Sequence, residues 1–227
     1  MSVATAVVQN GLMTEPAAAP AALRPPRGER AVGLVLAAGA GRRMGGPKAL
    51  VMDPEGQPWV VRAARTLCEG GCAGLVVVVG AEADRVATVV NRAFDRDVTT
   101  VYAAGWNRGM GASLRTGLDA VRRLFPEAPA VLVGLVDTPG VNAAVVRRVL
   151  GAASISPSSL ARAQYHGAPG HPVLLGREHW AGIEGAADGD VGARSYLADR
   201  LRAADGALAL IECGDLADGA DIDHPPA

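Results

Sequence analysis

Residues 31–38, Ala-Val-Gly-Leu-Val-Leu-Ala-Ala, form an unbroken apolar run that ends at Gly39. A short run with no polar alternation marks a strand covered on both faces, which commits the chain to helices packed on either side of a parallel sheet. The residues that follow keep to that plan. Val60, Val61, Ala64, Leu67 and Cys68 recur at helical spacing, and Gly70-Gly71 supplies a stop. Residues 74–79 are again continuously apolar, and Val86, Val89, Val90 and Ala93 mark a second helix. A third strand is predicted at 98–102 and a third helix at 112–125, with Leu114, Leu118, Val121 and Leu124 inward. Residues 130–136 then form another buried strand, which delivers Asp137 at its end. This alternation predicts a three-layer α/β/α sandwich, Rossmann-like, around a doubly wound and mostly parallel sheet. With hydrophobic residues at 49% and aromatics at 4%, its core must be built from Val, Leu and Ala.

The second half is less regular. A Ser-rich turn at 154–159, short strands at 160–164 and 173–175, a helix near 191–201 and a last strand at 207–211 predict an antiparallel addition to the sheet, without a core of its own. Residues 1–30, rich in Ala and Pro, are expected to form a flexible tail, and residues 31–227 a single domain. Lys plus Arg (22) nearly equals Asp plus Glu (23), which removes the basic field that nucleic acid binding needs. The chain has no apolar run near the roughly 18 residues that span a bilayer and no recognisable leader. The expectation is therefore a cytoplasmic protein with neither a membrane nor a nucleic acid partner. Cys68, Cys72 and Cys213 read as reduced structural thiols.

The chemistry concentrates in residues 36–48, Leu-Ala-Ala-Gly-Ala-Gly-Arg-Arg-Met-Gly-Gly-Pro-Lys, where four glycines and three cations directly follow a buried strand. Such a loop exposes backbone N–H groups to phosphate oxygens. It is not a dinucleotide fingerprint, which would need glycine at Met44, nor a P-loop, which would need Gly-Lys at Pro47-Lys48. The segment resembles the signature of nucleotidyltransferases acting on sugar phosphates and on the molybdenum cofactor: Leu-Ala-Ala/Gly-Gly, then Arg-Met-Gly, then Lys. That resemblance implies a fold of the nucleotide-diphospho-sugar transferase type, with Arg43 and Lys48 on the triphosphate and Leu36, Ala37, Ala38, Gly39, Ala40, Gly41 and Arg42 around base, ribose and phosphates. The chemistry agrees, because an Arg fork can hold phosphate oxygens and a Lys can neutralise departing pyrophosphate.

Asp137, at the carboxyl end of a strand and before Thr138-Pro139, stands where open α/β sheets bind ligands, and a carboxylate there can hold Mg²⁺. Near the end of the chain, Asp221-Ile222-Asp223-His224-Pro225 resembles the family's Asp-Ile-Asp-Thr-Pro, which assigns Asp223 as the second Mg²⁺ ligand, with His224 in place of threonine. Alternation puts Asp221 and Asp223 on one side of an extended segment.

Three more segments, at 105–114, 167–174 and 189–194, extend the resemblance to molybdenum cofactor cytidylyltransferases in particular. By it, Gly109 and Ser113 lie beside nucleotide and substrate, Ser113 also being placed to cap its helix, while His171 and Asp190 face a pterin. Ala103-Ala104 departs from the usual Asn-Pro. Ala38, where guanylyl-transferring relatives carry Gly, points to CTP. The implied enzyme transfers CMP from CTP to a phosphorylated acceptor such as molybdopterin, with Mg²⁺ as cofactor, catalysis by Arg43, Lys48 and Asp137, and a molybdoenzyme or chaperone as partner. Other readings are guanylyl transfer to a different acceptor, NAD(P)H-dependent reduction of the nicotine-blue-reductase type, and an idle cofactor chaperone.

Overall fold

The computed structural model describes residues 30–94, 98–187, 189–203 and 206–224; the expected tail lies outside them. Seven strands form one sheet in the order β3-β2-β1-β4-β6-β5-β7. These are β1 (Val32–Ala37), β2 (Leu75–Val79), β3 (Val98–Tyr102), β4 (Ala130–Leu135), β5 (Leu160–Tyr165), β6 (Ala168–Gly176) and β7 (Ala209–Glu212). Every pairing is parallel except those of β6 with β4 and with β5, so β6 alone runs against the rest. The predicted sandwich with its antiparallel addition is what forms.

The chain moves outward from β1 through β2 to β3, then returns to place β4 on the other side of β1. At this reversal the carboxyl ends of β1 and β4 lie side by side, and the residues that follow them border a crevice. The helices are α1 (Trp59–Gly70), α2 (Ala83–Phe94), α3 (Met110–Leu124), α4 (Ala143–Ala152), α5 (Trp180–Ala186) and α6 (Arg194–Arg202). Alternate residues of β1 serve the two faces: Val35 and Ala37 pack with Val61, Leu67 and Val146 of α1 and α4, while Val32, Leu34 and Leu36 pack with Leu114, Leu118, Ile183 and Leu197 of α3, α5 and α6. The central strands β1 and β2 are buried along their whole length, as their sequence demands. The Cys72 thiol sits in this core, and burial drives it up to about 12, in keeping with a structural thiol.

Four features differ from expectation. Ser113 does not cap α3: the helix begins earlier, at Met110, with Gly109 preceding it, and Ser113 is buried within its first turns. Helix α4 was not anticipated, although Asn142 is a textual N-cap whose side chain accepts from the N–H groups of Ala144 (2.9 Å) and Val145 (3.2 Å). The short α5 was also missed. Strand β6 is longer than the predicted 173–175, since it continues through Pro172 to Ala168.

Leu132, fully buried on the central strand β4, contributes mainly through packing. Leu132→Ala should cost about 2–5 kcal/mol, and Asn142→Ala about 1 kcal/mol, both read from urea unfolding midpoints.

Candidate active site

The loop after β1 is shaped by its own backbone. Gly41 sits at φ 57°, its carbonyl accepts from Met44 (2.8 Å) and Gly46 (3.3 Å), and residues Arg42–Met44 form a single 3-10 turn. A Cβ at position 41 would lie 2.0 Å from the Gly46 carbonyl oxygen, so the loop closes on a space that only glycine leaves. The carbonyl of Ala38 accepts from Ala81 N–H (3.0 Å), which anchors the start of the loop to the end of β2. A second 3-10 turn, Lys48–Leu50, with the buried Ala49 at its centre, points Lys48 back toward the end of β4.

There Lys48 meets two carboxylates. Its Nζ donates to Asp137 Oδ2 at 2.8 Å and to Asp223 Oδ1 at 2.6 Å, contacts that span 89 and 175 residues of chain. The Lys48 and Asp137 side chains are only 15% and 21% exposed, and Asp223 44%. Burial pulls the Lys48 pKa down, but the two acidic partners outweigh it and the net shift is upward, so the ammonium stays charged. The Lys48 bond and charge hold Asp223 below the usual carboxylate range. Arg43, 72% exposed, reaches Asp223 Oδ2 at 3.4 Å from outside.

Neighbouring contacts fix Asp137 and Asp223. The Asp137 carbonyl accepts from Ile222 N–H (2.8 Å), Val141 N–H bonds the Thr138 carbonyl (3.1 Å), and Arg62 of α1 donates to the Pro139 carbonyl. The returning C-terminal segment is tied down by Asn142 Nδ2 on the Leu216 carbonyl (3.0 Å) and by the Arg148–Asp215 ion pair. Both anchors belong to α4 or its cap.

Two clefts adjoin at Asp137. The first, about 370 Å³, is lined by Leu36, Ala38, Gly39, Ala40, Gly41 and Arg42 of the loop, by Lys48, and by Gly109 and Ser113 at the start of α3. The second, about 240 Å³, holds His171 and Asp221. Leu36, Met110, Leu135 and Asp137 border both. Of the residues singled out from sequence, Ala37 is the one whose side chain turns away, into the core against α1; period-two alternation requires this once Leu36 and Ala38 face the cleft. Asp221 and Asp223 serve different places, the second cleft and Lys48 respectively. Asp190 belongs to the 3-10 turn Gly189–Val191. Trp106, Asn107 and Met110, from the segment 105–114 singled out from sequence, line the first cleft, and Arg194, from 189–194, lines the second; sequence reasoning missed Arg162 there. Arg162, on a short strand, gave no local signal.

Among the described residues no three His, Cys, Asp or Glu side chains gather as a metal cage. Two carboxylates brought onto one cation make an oxygen-only, open donor set. This suits Mg²⁺, which keeps several waters and phosphate oxygens in its shell, and not Zn²⁺.

Residues 33–205 match the family described as a MobA-like NTP transferase domain. The chain belongs to that family. This MobA-like chain is also 35% identical over 199 residues to nicotine blue oxidoreductase of Paenarthrobacter nicotinovorans, covering 84% of the chain and 91% of the relative. Its fold resembles that of Rv0371c from Mycobacterium tuberculosis H37Rv (TM-score 0.68, 24% identity, 87% of this chain and 94% of that one). Rv0371c has also been solved with manganese (TM-score 0.60, 23% identity, 81% and 88%). A nucleotidyl transferase from Methanothermobacter thermautotroptrophicus is similar too (TM-score 0.66, 22% identity, 86% and 92%). The MobA-like domain thus places the chain among NTP transferases, and no helix of the described residues is long and apolar enough to cross a membrane.

Two outcomes follow from the geometry. Gly41→Ala must reopen the loop, so nucleotide affinity measured by calorimetry should fall at least about tenfold, with the unfolding midpoint lowered by the strain of a positive φ. Burial, and then the charges of Arg162 and Arg194, push His171 down to about 3. Its unfolded value is about 6.5, so between these limits the unfolded chain binds more protons and stability declines as pH falls. Unfolding at pH 5 should require less urea than at pH 7, and His171→Gln should remove most of that difference.

Proposed function

We propose that this protein is a nucleotidyltransferase that moves CMP from CTP onto the phosphate of a small acceptor of the molybdopterin type, with release of pyrophosphate. The observation that carries the reading is Lys48, bound to Asp137 and Asp223 at the junction of the two clefts. The glycine-rich wall of the larger cleft suits the triphosphate, and the smaller cleft suits the acceptor. The acceptor's phosphate oxygen would attack the α-phosphorus across the shared wall. A new P–O bond forms, the α–β bridge breaks, and both electrons leave with pyrophosphate.

Positioning and charge neutralisation are the catalytic needs of such a transfer, so no covalent intermediate with the protein is required. Lys48, a compact cation fixed from two sides, is suited to neutralising the charge that develops on the phosphates. Arg43, exposed at the rim, can swing onto the outer phosphates, and Arg42 lines the same cleft. Asp137 and Asp223 would hold Mg²⁺, which when bound supplies a counter-charge to the phosphates. The solved relative that carries manganese is in line with a divalent ion. Ala38 lines the larger cleft, and its methyl narrows the space for a base, which favours the smaller pyrimidine.

A second reading takes its support from the 35% identical relative, whose name is that of an oxidoreductase. NAD(P)H would then occupy the larger cleft, although its loop lacks the dinucleotide fingerprint, with Met44 at the third glycine position.

The two readings separate in one experiment: pyrophosphate release from CTP, GTP, ATP and UTP with Mg²⁺ and molybdopterin, alongside titration with NADPH. Release from CTP is expected, and Asp137→Asn should reduce it by at least about a hundredfold with the circular dichroism spectrum unchanged. Undiminished release by that variant would falsify the role of Asp137. Tight NADPH binding, with no pyrophosphate from any nucleotide, would replace transfer by reduction.

A further inference from the structure

The smaller cleft holds more positive charge than one reacting phosphate needs, and holds it in a separate place. Its floor is apolar, made by Val133, Val173 and Leu175 of the sheet, with Leu114 of α3 and Leu197 of α6 beside it. Asp137 and its neighbour Asp221 border it on the side of the nucleotide cleft, where Ile222 N–H bonds the Asp137 carbonyl. Arg162 of β5 and Arg194 at the start of α6 also border it, on elements that contribute nothing to the nucleotide cleft.

Among the described residues these guanidinium groups are not spent on carboxylates. Arg162 donates through Nε to the Gly170 carbonyl (2.8 Å) and through Nη2 to the Pro169 carbonyl (3.3 Å), which orients the group without neutralising it. Among the described residues neither Arg162 nor Arg194 has an acidic partner in an ion pair. Burial, and then the charge of Arg194, lower the pKa of Arg162, so the two cations sense one another. His171, which senses both, stays neutral beside them. Two like charges facing one cleft attract a ligand that brings the opposite charge. An Arg pair is also the arrangement that grips a carboxylate or phosphate by several parallel hydrogen bonds.

We propose that Arg162 and Arg194 form an anion subsite, which binds an acidic group of the acceptor other than the phosphate that attacks the nucleotide. The proposal rests on the acceptor reading above, since it places the reacting phosphate at Asp137 and the second acidic group at the far side of the apolar floor. The acceptor is then a small body with a phosphate at one end and a second anionic group at the other, spanning the apolar floor between them.

The test is a titration of the full ¹⁵N-labelled chain with benzoate, and with benzyl alcohol as the uncharged control. Benzoate should shift the amide signals of β5, of residues 168–171 and of the first turn of α6, and benzyl alcohol should not. Arg194→Gln and Arg162→Gln should each weaken benzoate binding by about tenfold, the loss of a charge-assisted hydrogen-bonding partner. Arg162 also orients the β5–β6 hairpin, so Arg194→Gln, whose residue is exposed, keeps the test meaningful if the other variant unfolds. With an active acceptor, both variants should raise its KM and leave the KM for CTP unchanged. Equal binding of benzyl alcohol, or benzoate binding unaffected in Arg194→Gln, would overturn the subsite. Arginine-dependent benzoate binding in a protein that never binds CTP would support the subsite and count against nucleotidyl transfer.

Discussion

The bond system of Lys48 with Asp137 and Asp223 decides how the active end of the molecule is put together. It joins a loop after the first strand, the tip of the fourth, and the last described stretch of the chain. With two of its three members largely shielded from water, removing Lys48 would leave the shielded Asp137 without its cation, which is more costly than losing a surface pair, whereas removing either carboxylate leaves Lys48 paired with the other. The same arrangement holds Asp223 below the usual carboxylate range. The ammonium is thus both a structural tie and a stand-in counter-charge.

That tie forms where it does because of the strand order. Had β4 been added beside β3, the loop after β1 and Asp137 would have been separated by two strands, and no side chain would have bridged them. Placing β4 next to β1, in register from Val32–Val131 to Leu36–Leu135, brings the two strand ends side by side. The antiparallel β6 then pairs with β4 and carries His171 to the same end of the sheet. One reversal of direction therefore supplies a wall to each cleft.

Much of this was legible in the sequence because it depends on local pattern. The apolar runs of β1, β2 and β4 declare buried strands, and the glycines after β1 declare the tight loop that lines the larger cleft, since in each case the residues needed are contiguous. What was not legible depends on tertiary placement. Pro172 argues against a long strand, yet β6 tolerates it at the end where its pairing with β4 has already stopped, after Val173. Helix α4 has its cap and its inward Val145, Val146 and Val149, but its Ala-rich start weakens the periodic signal. Ser113 looks like a cap only if α3 starts where its leucines start; the helix gains a turn from Gly109 onward. Arg162 and Arg194 lie on different elements and meet at one cleft only through the packing of Leu197 of α6 with Leu160, Val173 and Leu175 of β5 and β6.

The contrast between the two clefts follows from which elements line them. The larger is walled by the glycine-rich loop, by Trp106, Asn107 and Met110, and by Asp137, with its cations confined to Arg42 and Lys48. The smaller is walled by side chains from β5, β6 and α6, elements of the less regular half of the chain. Arg162 and Arg194 stand in this wall away from both the glycine-rich loop and the Lys48 tie. A family built this way can keep one nucleotide chemistry and vary its acceptor, and the residues that fix the acceptor are then to be sought on β5 and α6, not in the glycine-rich loop.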